Sequence, residues 1–210
     1  FENDNLLVLN KPAGFAVHKG SGLQFGVIDI IRQLRPGNPD IELVHRLDRD
    51  TSGCLVLAKD YPNLRRIQAQ LSAASSAKTY LTLLHGELGQ APVEVDLKLM
   101  TVRRGGEKRS VVDADGKVAL TTFSLREPIG RMSLTQARIT TGRTHQIRVH
   151  AAAIQHPVAG DKKYTERSLQ LAMRKSGLRR MFLHAESITL SPAPGAQSIV
   201  LEAPLPDDLV

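Results

Sequence analysis

An α+β fold with a mixed, mostly antiparallel sheet flanked by helices and loops is what this sequence predicts. Three observations carry that expectation. Short apolar or β-favouring runs recur along the chain, at 6–10, 54–58, 78–84, 118–125, 132–140, 182–190 and 198–203. Helical periodicity interrupts them only irregularly, at 25–37, 62–74 and 144–155. Strands in series with helices inserted unevenly argue against regular βαβ winding.

Taken in order, "LLVLN" (6–10) is a buried strand ended by the Pro and Gly of "KPAG". "FGVIDIIRQLRPG" (25–37) sets Val27, Ile30, Ile31 and Leu34 at helical spacing, and Pro36-Gly37 stop it. "CLVLA" (54–58) is an apolar strand. "PNLRRIQAQLSAA" (62–74) is an amphipathic helix with Pro62 near its start and Leu64, Ile67, Leu71 and Ala74 on one side. "KTYLTLL" (78–84) has strand composition. From 93 to 140 several strands are expected, broken at Gly105-Gly106 and at 115–116. "THQIRVHAAAIQ" (144–155) reads as a helix with Thr144 as N-cap and Ile147, Ala151 and Ile154 as its apolar stripe. "FLHAESITL" (182–190) and "SIVLEA" (198–203) close the chain as strands.

With 210 residues and 41% hydrophobic composition, the chain is long enough for one domain with a real core, and too apolar for disorder. No apolar run approaches a membrane span of roughly 18 residues. Cys54 is the only cysteine. It rules out an internal disulfide, fits a reducing, cytoplasmic compartment, and reads as a small buried hydrophobe. The start lacks both a signal pattern and a methionine, which suggests a piece of a longer chain.

Lys and Arg number 28 against 21 Asp and Glu, a net charge of +7 that favours a polyanionic partner such as nucleic acid. Basic clusters stand at 65–66, 103–109 and 174–180. With 4% aromatics and no Trp, a single-strand binder built on base-stacking platforms is disfavoured.

The densest chemistry is "VHRLDRDTSG" (44–53). If it runs extended, Arg46, Asp48 and Asp50 share one face, while Leu47 anchors the other. A second dense stretch, "TGRTHQIRVHAA" (141–152), carries Arg148 on the expected helix, where it could meet an acid of the first. An Arg beside a buried Asp keeps the carboxylate ionised. Such an acid is suited to nucleophilic attack without a separate base. Geometry alone leaves Asp48 and Asp50 both open. His145, His150, His156 and Asp161 are spaced five, six and five apart, which matches no zinc motif, so no metal is expected. "GSG" at 20–22 is too short for a phosphate loop.

These residues resemble the RluA-type pseudouridine synthases. "HRLDRDTSG" (45–53) is similar to the family signature, and "LLVLNKPAGFAVH" (6–18), "KTYL" (78–81), "GRTHQIRVH" (142–150), "HPVAGDKKY" (156–164) and "FLHA" (182–185) match in the same order. The resemblance implies that the whole chain, 1–210, is the catalytic domain, with the N-terminal S4-type RNA-binding domain of many relatives absent. It implies Asp48 as the essential aspartate and Asp50 as a residue that holds the loop. Tyr80 is implied to pack against the target base, Arg148 to pair with the aspartate, and Arg46 to fill the gap left by the extruded uridine. His45, Lys11, Arg143, His145 and Leu183, from the same motifs, are the remaining RNA-side candidates. The implied reaction isomerises uridine in RNA without cofactor or metal, by a monomer with no membrane attachment. Ribosomal RNA of the large subunit is the expected substrate. Transfer RNA, or a non-catalytic RNA-binding role, is the alternative.

Overall fold

The computed structural model describes residues 1–19, 25–73, 75–190 and 198–209 of the chain; the glycine-serine stretch at 20–22 and Ala74 lie outside them. The chain divides into two compact units. The first comprises Phe1–Ala77 and Ala185–Asp208, the second Lys78–His184.

In the first unit β1 (Leu6–Lys11) runs antiparallel to β3 (Ser52–Ala58), from Leu6 opposite Ala58 to Lys11 opposite Gly53. All seven residues of β3 are buried, as expected of a central strand with a continuous apolar run. The two-residue β2 (Glu42–Leu43) adds to β3. β10 (Leu183–Leu190), from Ala185 onward, lies on the far side of β3 and pairs antiparallel with β11 (Ile199–Glu202). α1 (Val27–Leu34) falls inside its expected range, and α2 (Tyr61–Ser72) begins one residue before its own. α2 is capped by Asp60, whose carboxylate accepts from Asn63 N at 2.7 Å. Its Leu64, Ile67 and Leu71 pack into one cluster with Val8, Val44, Val56, Ile188 and Leu201. Cys54 is buried in that cluster, and desolvation pushes its thiol up to about 12.

The second unit is a meander in the order β4-β9-β8-β5. These strands are β4 (Ala77–His85, from Lys78 onward in this unit), β9 (Met132–Ile139), β8 (Leu120–Ile129) and β5 (Val93–Asp96). Their pairings are all antiparallel, with a bulge in β8 between Leu125 and Glu127. A separate hairpin joins β6 (Leu99–Arg104) to β7 (Glu107–Val112) through the expected Gly105-Gly106 turn. α3 (Gln146–Ala153) is two residues shorter than its periodicity suggests at each end.

α3 also departs from the reading of its start and its faces. Its N-cap is His145, in the left-handed region at φ 55, rather than Thr144. The apolar stripe does not describe it either: every residue from Gln146 to Ala151 is buried, polar ones included, while Ile154 is the half-buried C-cap. A helix enclosed on all sides carries its own polar partners into the core. α4 (Arg167–Lys175) has no counterpart in the sequence reading. Leu169, Ala172 and Met173 do fall at helical spacing, but the run is short, Leu171 lies off that face, and none of these residues is buried.

Candidate active site

The charged stretch 44–51 is a loop, not an extended strand; bends and a turn replace the alternation that would put Arg46, Asp48 and Asp50 on one face. Leu47 is 4% exposed and anchors it as expected. Asp48 is half-buried, while Arg46, Arg49 and Asp50 are exposed. Asp50 does not hold the loop. Its contact is a 3.7 Å pair with Arg49 in which both side chains are more than half exposed, an arrangement worth little in water.

Lys11 does that work instead. Its side chain is buried at the end of β1, and Nζ donates to the carbonyls of Pro12, Phe15 and Arg49 at 2.9, 2.9 and 3.1 Å. The same Arg49 carbonyl accepts from Gly14 N, and Thr51 N closes onto the Asp48 carbonyl. The backbone on both sides of Asp48 is thereby clamped. His45 Nε2 accepts from Val56 N at 3.1 Å, so the neutral ring carries its proton on Nδ1. Ser52 and Gly53, at the end of the charged stretch, open β3. Gly53 has φ +111, and a Cβ there would lie 2.2 Å from the Ala185 carbonyl oxygen, so only glycine fits.

The second unit holds Tyr80, in β4 opposite Ala137, at 8% exposure. Leu183 is buried at the start of β10. Arg148, on α3, is also buried. Its Nε and Nη2 donate to the two carboxylate oxygens of Asp161 at 2.7 and 2.9 Å, a bidentate pair whose acid is fully enclosed. Asp161 Oδ1 also accepts from the backbone of Lys163 and Tyr164. The guanidinium lies 5.1 Å from the centre of the Tyr164 ring, within cation–π range. Tyr164 Oη accepts from Ser110 N and lies 2.8 Å from His145 Nδ1, which ties the left-handed N-cap to the same assembly.

Around α3, Gln146 Oε1 accepts from Thr141 Oγ1 and Arg143 N, while its Nε2 donates to Leu120 O and Thr121 Oγ1. His150 is fully buried, with Nδ1 2.9 Å from Thr121 Oγ1 and Nε2 2.9 Å from Leu97 O. The carbonyl requires Nε2 to carry the proton, and desolvation keeps the ring below its ordinary pKa, neutral. Arg143 is exposed, its Nε on the Val118 carbonyl.

Asp161 and Tyr164, which fix Arg148, both stand in "HPVAGDKKY", but nothing local in that stretch marks them as partners of Arg148. Among the described residues no group of three His, Cys, Asp or Glu is arranged to hold a metal ion. His150, His156 and Asp161 are each engaged by different partners. No helix of the described residues is long and apolar enough to cross a membrane.

Comparison with known proteins places the chain in a family. Ribosomal large subunit pseudouridine synthase C of Yersinia pestis is 43% identical over 210 residues, covering all of this chain and 66% of that protein. The chain spans just under two thirds of such relatives. The structure of human RNA pseudouridylate synthase domain containing 1 superposes with a TM-score of 0.75 at 26% identity, covering 98% of this chain and 82% of the other. That of human RNA pseudouridylate synthase domain containing 4 gives 0.79 at 24% identity, over 100% and 88%, a likeness of fold. The RNA pseudouridylate synthase family model matches residues 5–153, a range that holds Asp48, Tyr80 and Arg148. With most of its length matched, and the family's fold around it, the chain belongs to the RNA pseudouridylate synthase family.

Proposed function

We propose that this protein isomerises uridine to pseudouridine in RNA of the large ribosomal subunit. The N1–C1′ bond breaks, the uracil turns in the site, and C5 bonds to C1′, losing its proton while N1 takes one up. Asp48 is the carboxylate that acts on the nucleotide, by attack at C6 of the base or by promoting cleavage and removal of the C2′ proton. Tyr80 packs against the base, and Arg148 is the cation of the site. Arg46 enters the space left by the flipped nucleotide, an extrusion that costs a few kcal/mol. Arg46 is suited to this: it is exposed, with no side-chain hydrogen bond or ion pair among the described residues. His45, Arg143, His145 and Leu183 complete the RNA side. The protein acts as a cytoplasmic monomer, without cofactor or metal.

The observation that carries this reading is the clamped loop of the signature. A half-buried Asp48 sits between backbone atoms held by the Lys11 ammonium and by Thr51 N. A preorganised carboxylate is what transition-state chemistry requires, whereas a loop that only binds RNA has no need of one.

The test is incubation with unmodified large-subunit ribosomal RNA and mapping of new pseudouridines, in excess EDTA. Asp48→Asn should abolish product while RNA binding persists. Product from that variant would refute the assignment. Product on transfer RNA alone would redirect the substrate, and binding without product from the wild type would leave a non-catalytic module.

A further inference from the structure

Beyond the stretch that the family model matches, α4 and its neighbours form a second basic feature. A cavity of about 350 Å³ opens between α4, the turn at 160–162 and the segment 178–179. α4 contributes Arg167, Gln170, Leu171 and Arg174, spaced i, i+3, i+4 and i+7, so one face of the helix lines it. Lys162 and Arg179 stand on the other walls. Four cations thus line one concavity, and no carboxylate does.

None of these four cations makes an ion pair or a side-chain hydrogen bond among the described residues, although Glu166 is adjacent in the chain. Two surface arginines elsewhere in the chain, by contrast, are paired: Arg35 with Glu2 and Arg32 with Glu42. α4 buries no residue at all, and Leu171 on its cavity-lining face is 50% exposed. Helices normally bury an apolar stripe, so a helix that buries nothing leaves this face open to a partner. The floor is rigid. Gly160 has φ +74, and a Cβ there would lie 2.2 Å from the Arg180 carbonyl oxygen. The next residue is Asp161, the anchor of Arg148.

We infer that this cavity is a binding site for the sugar–phosphate backbone of the RNA substrate, outside the pocket for the target uridine. Arg167, Arg174, Arg179 and Lys162 neutralise phosphates, Gln170 offers a hydrogen bond to a ribose or phosphate oxygen, and Leu171 lies against the sugar. The inference rests on the proposed RNA substrate and adds where the strand runs. A phosphodiester fits because several unpaired cations on one face, with little aromatic surface, suit backbone contact rather than base reading.

Arg167→Ala with Arg174→Ala removes two charges from one exposed helix face, and Arg65→Ala with Arg66→Ala removes two from α2 as a charge-matched control. Binding of an unmodified large-subunit ribosomal RNA fragment is measured between roughly 0.05 and 0.2 M salt. The α4 variant should bind roughly 15- to 30-fold more weakly near 0.15 M salt, with a salt slope lower by about 1.4–1.8. Its rate at saturating RNA should equal the wild type, and the control should change affinity less than about threefold. Unchanged affinity and slope in the α4 variant, or equal losses in both, would overturn the inference. Thermal unfolding checks the fold, and Arg167→Gln with Arg174→Gln repeats the test should the alanine form unfold. If the wild type makes no pseudouridine, the functional reading fails, while the binding comparison still decides the cavity.

Discussion

Replacing Asp161 by Asn keeps the shape of the side chain and removes its charge. The remaining oxygen can still accept from Lys163 N and Tyr164 N, but an amide donor now faces the Arg148 fork. Both partners are buried, with side-chain exposures of 8% for Arg148 and 0% for Asp161. Water therefore does little to replace the lost carboxylate. Two unit charges about 4 Å apart interact by roughly 4 kcal/mol at the effective dielectric of protein sites. Breaking one side of a buried pair costs about 3–5 kcal/mol. At about 2–4 °C per kcal/mol for a chain of this size, the melting temperature should fall by roughly 10 °C.

Urea unfolding followed by circular dichroism measures the change, with the denaturant slope expected to stay constant. The pairing itself is isolated by a double-mutant cycle with Arg148→Met, which should give a coupling between about 0.5 and 3 kcal/mol. Since Arg148 sits in the proposed site, Asp161→Asn should also lower the rate at saturating RNA, although Asp161 is enclosed and need not touch RNA. A stability loss under about 1 kcal/mol, or single effects that add within about 0.5 kcal/mol, would refute the claim that Asp161 fixes Arg148.

Lys11→Met should cost roughly 1–3 kcal/mol for each carbonyl that water fails to reach, and should lower kcat with RNA affinity kept. An unchanged kcat would reduce Lys11 to a purely structural residue. Burial holds His85 and His150 below 6.5, so the native state stays neutral while the unfolded chain takes up protons. That contribution to stability is complete above pH 6.5 and is lost as pH falls from 6.5 through the lowered native values. Urea midpoints should therefore drop between pH 7 and 5, and less so in His85→Gln; a flat profile would contradict the burial of neutral rings.

What could be read from the sequence divides by the kind of force involved. β1, β3, β4, β8, β9 and α2 are legible because burial writes periodicity, and all bury apolar residues on at least one face. α4 is invisible to that reasoning because it buries nothing. α3 is found but misread, since its polar residues are buried in pairs whose partners lie far along the chain, as Gln146 with Leu120 and His150 with Leu97. The loop at 44–51 shows the same limit. Its charges mark it, yet the group that clamps it is Lys11, 38 residues away from the Arg49 carbonyl it binds. In the sequence Asp161 reads only as a metal-ligand candidate, because a lone acid near histidines suggests one. Its 13-residue separation from Arg148 exceeds any local pairing rule. Local patterns therefore reveal which residues carry charge into a fold. Which of those charges neutralise one another inside the protein, and which face outward as α4's do, is decided by tertiary contacts, and that division separates the scaffold from the surface proposed to meet RNA.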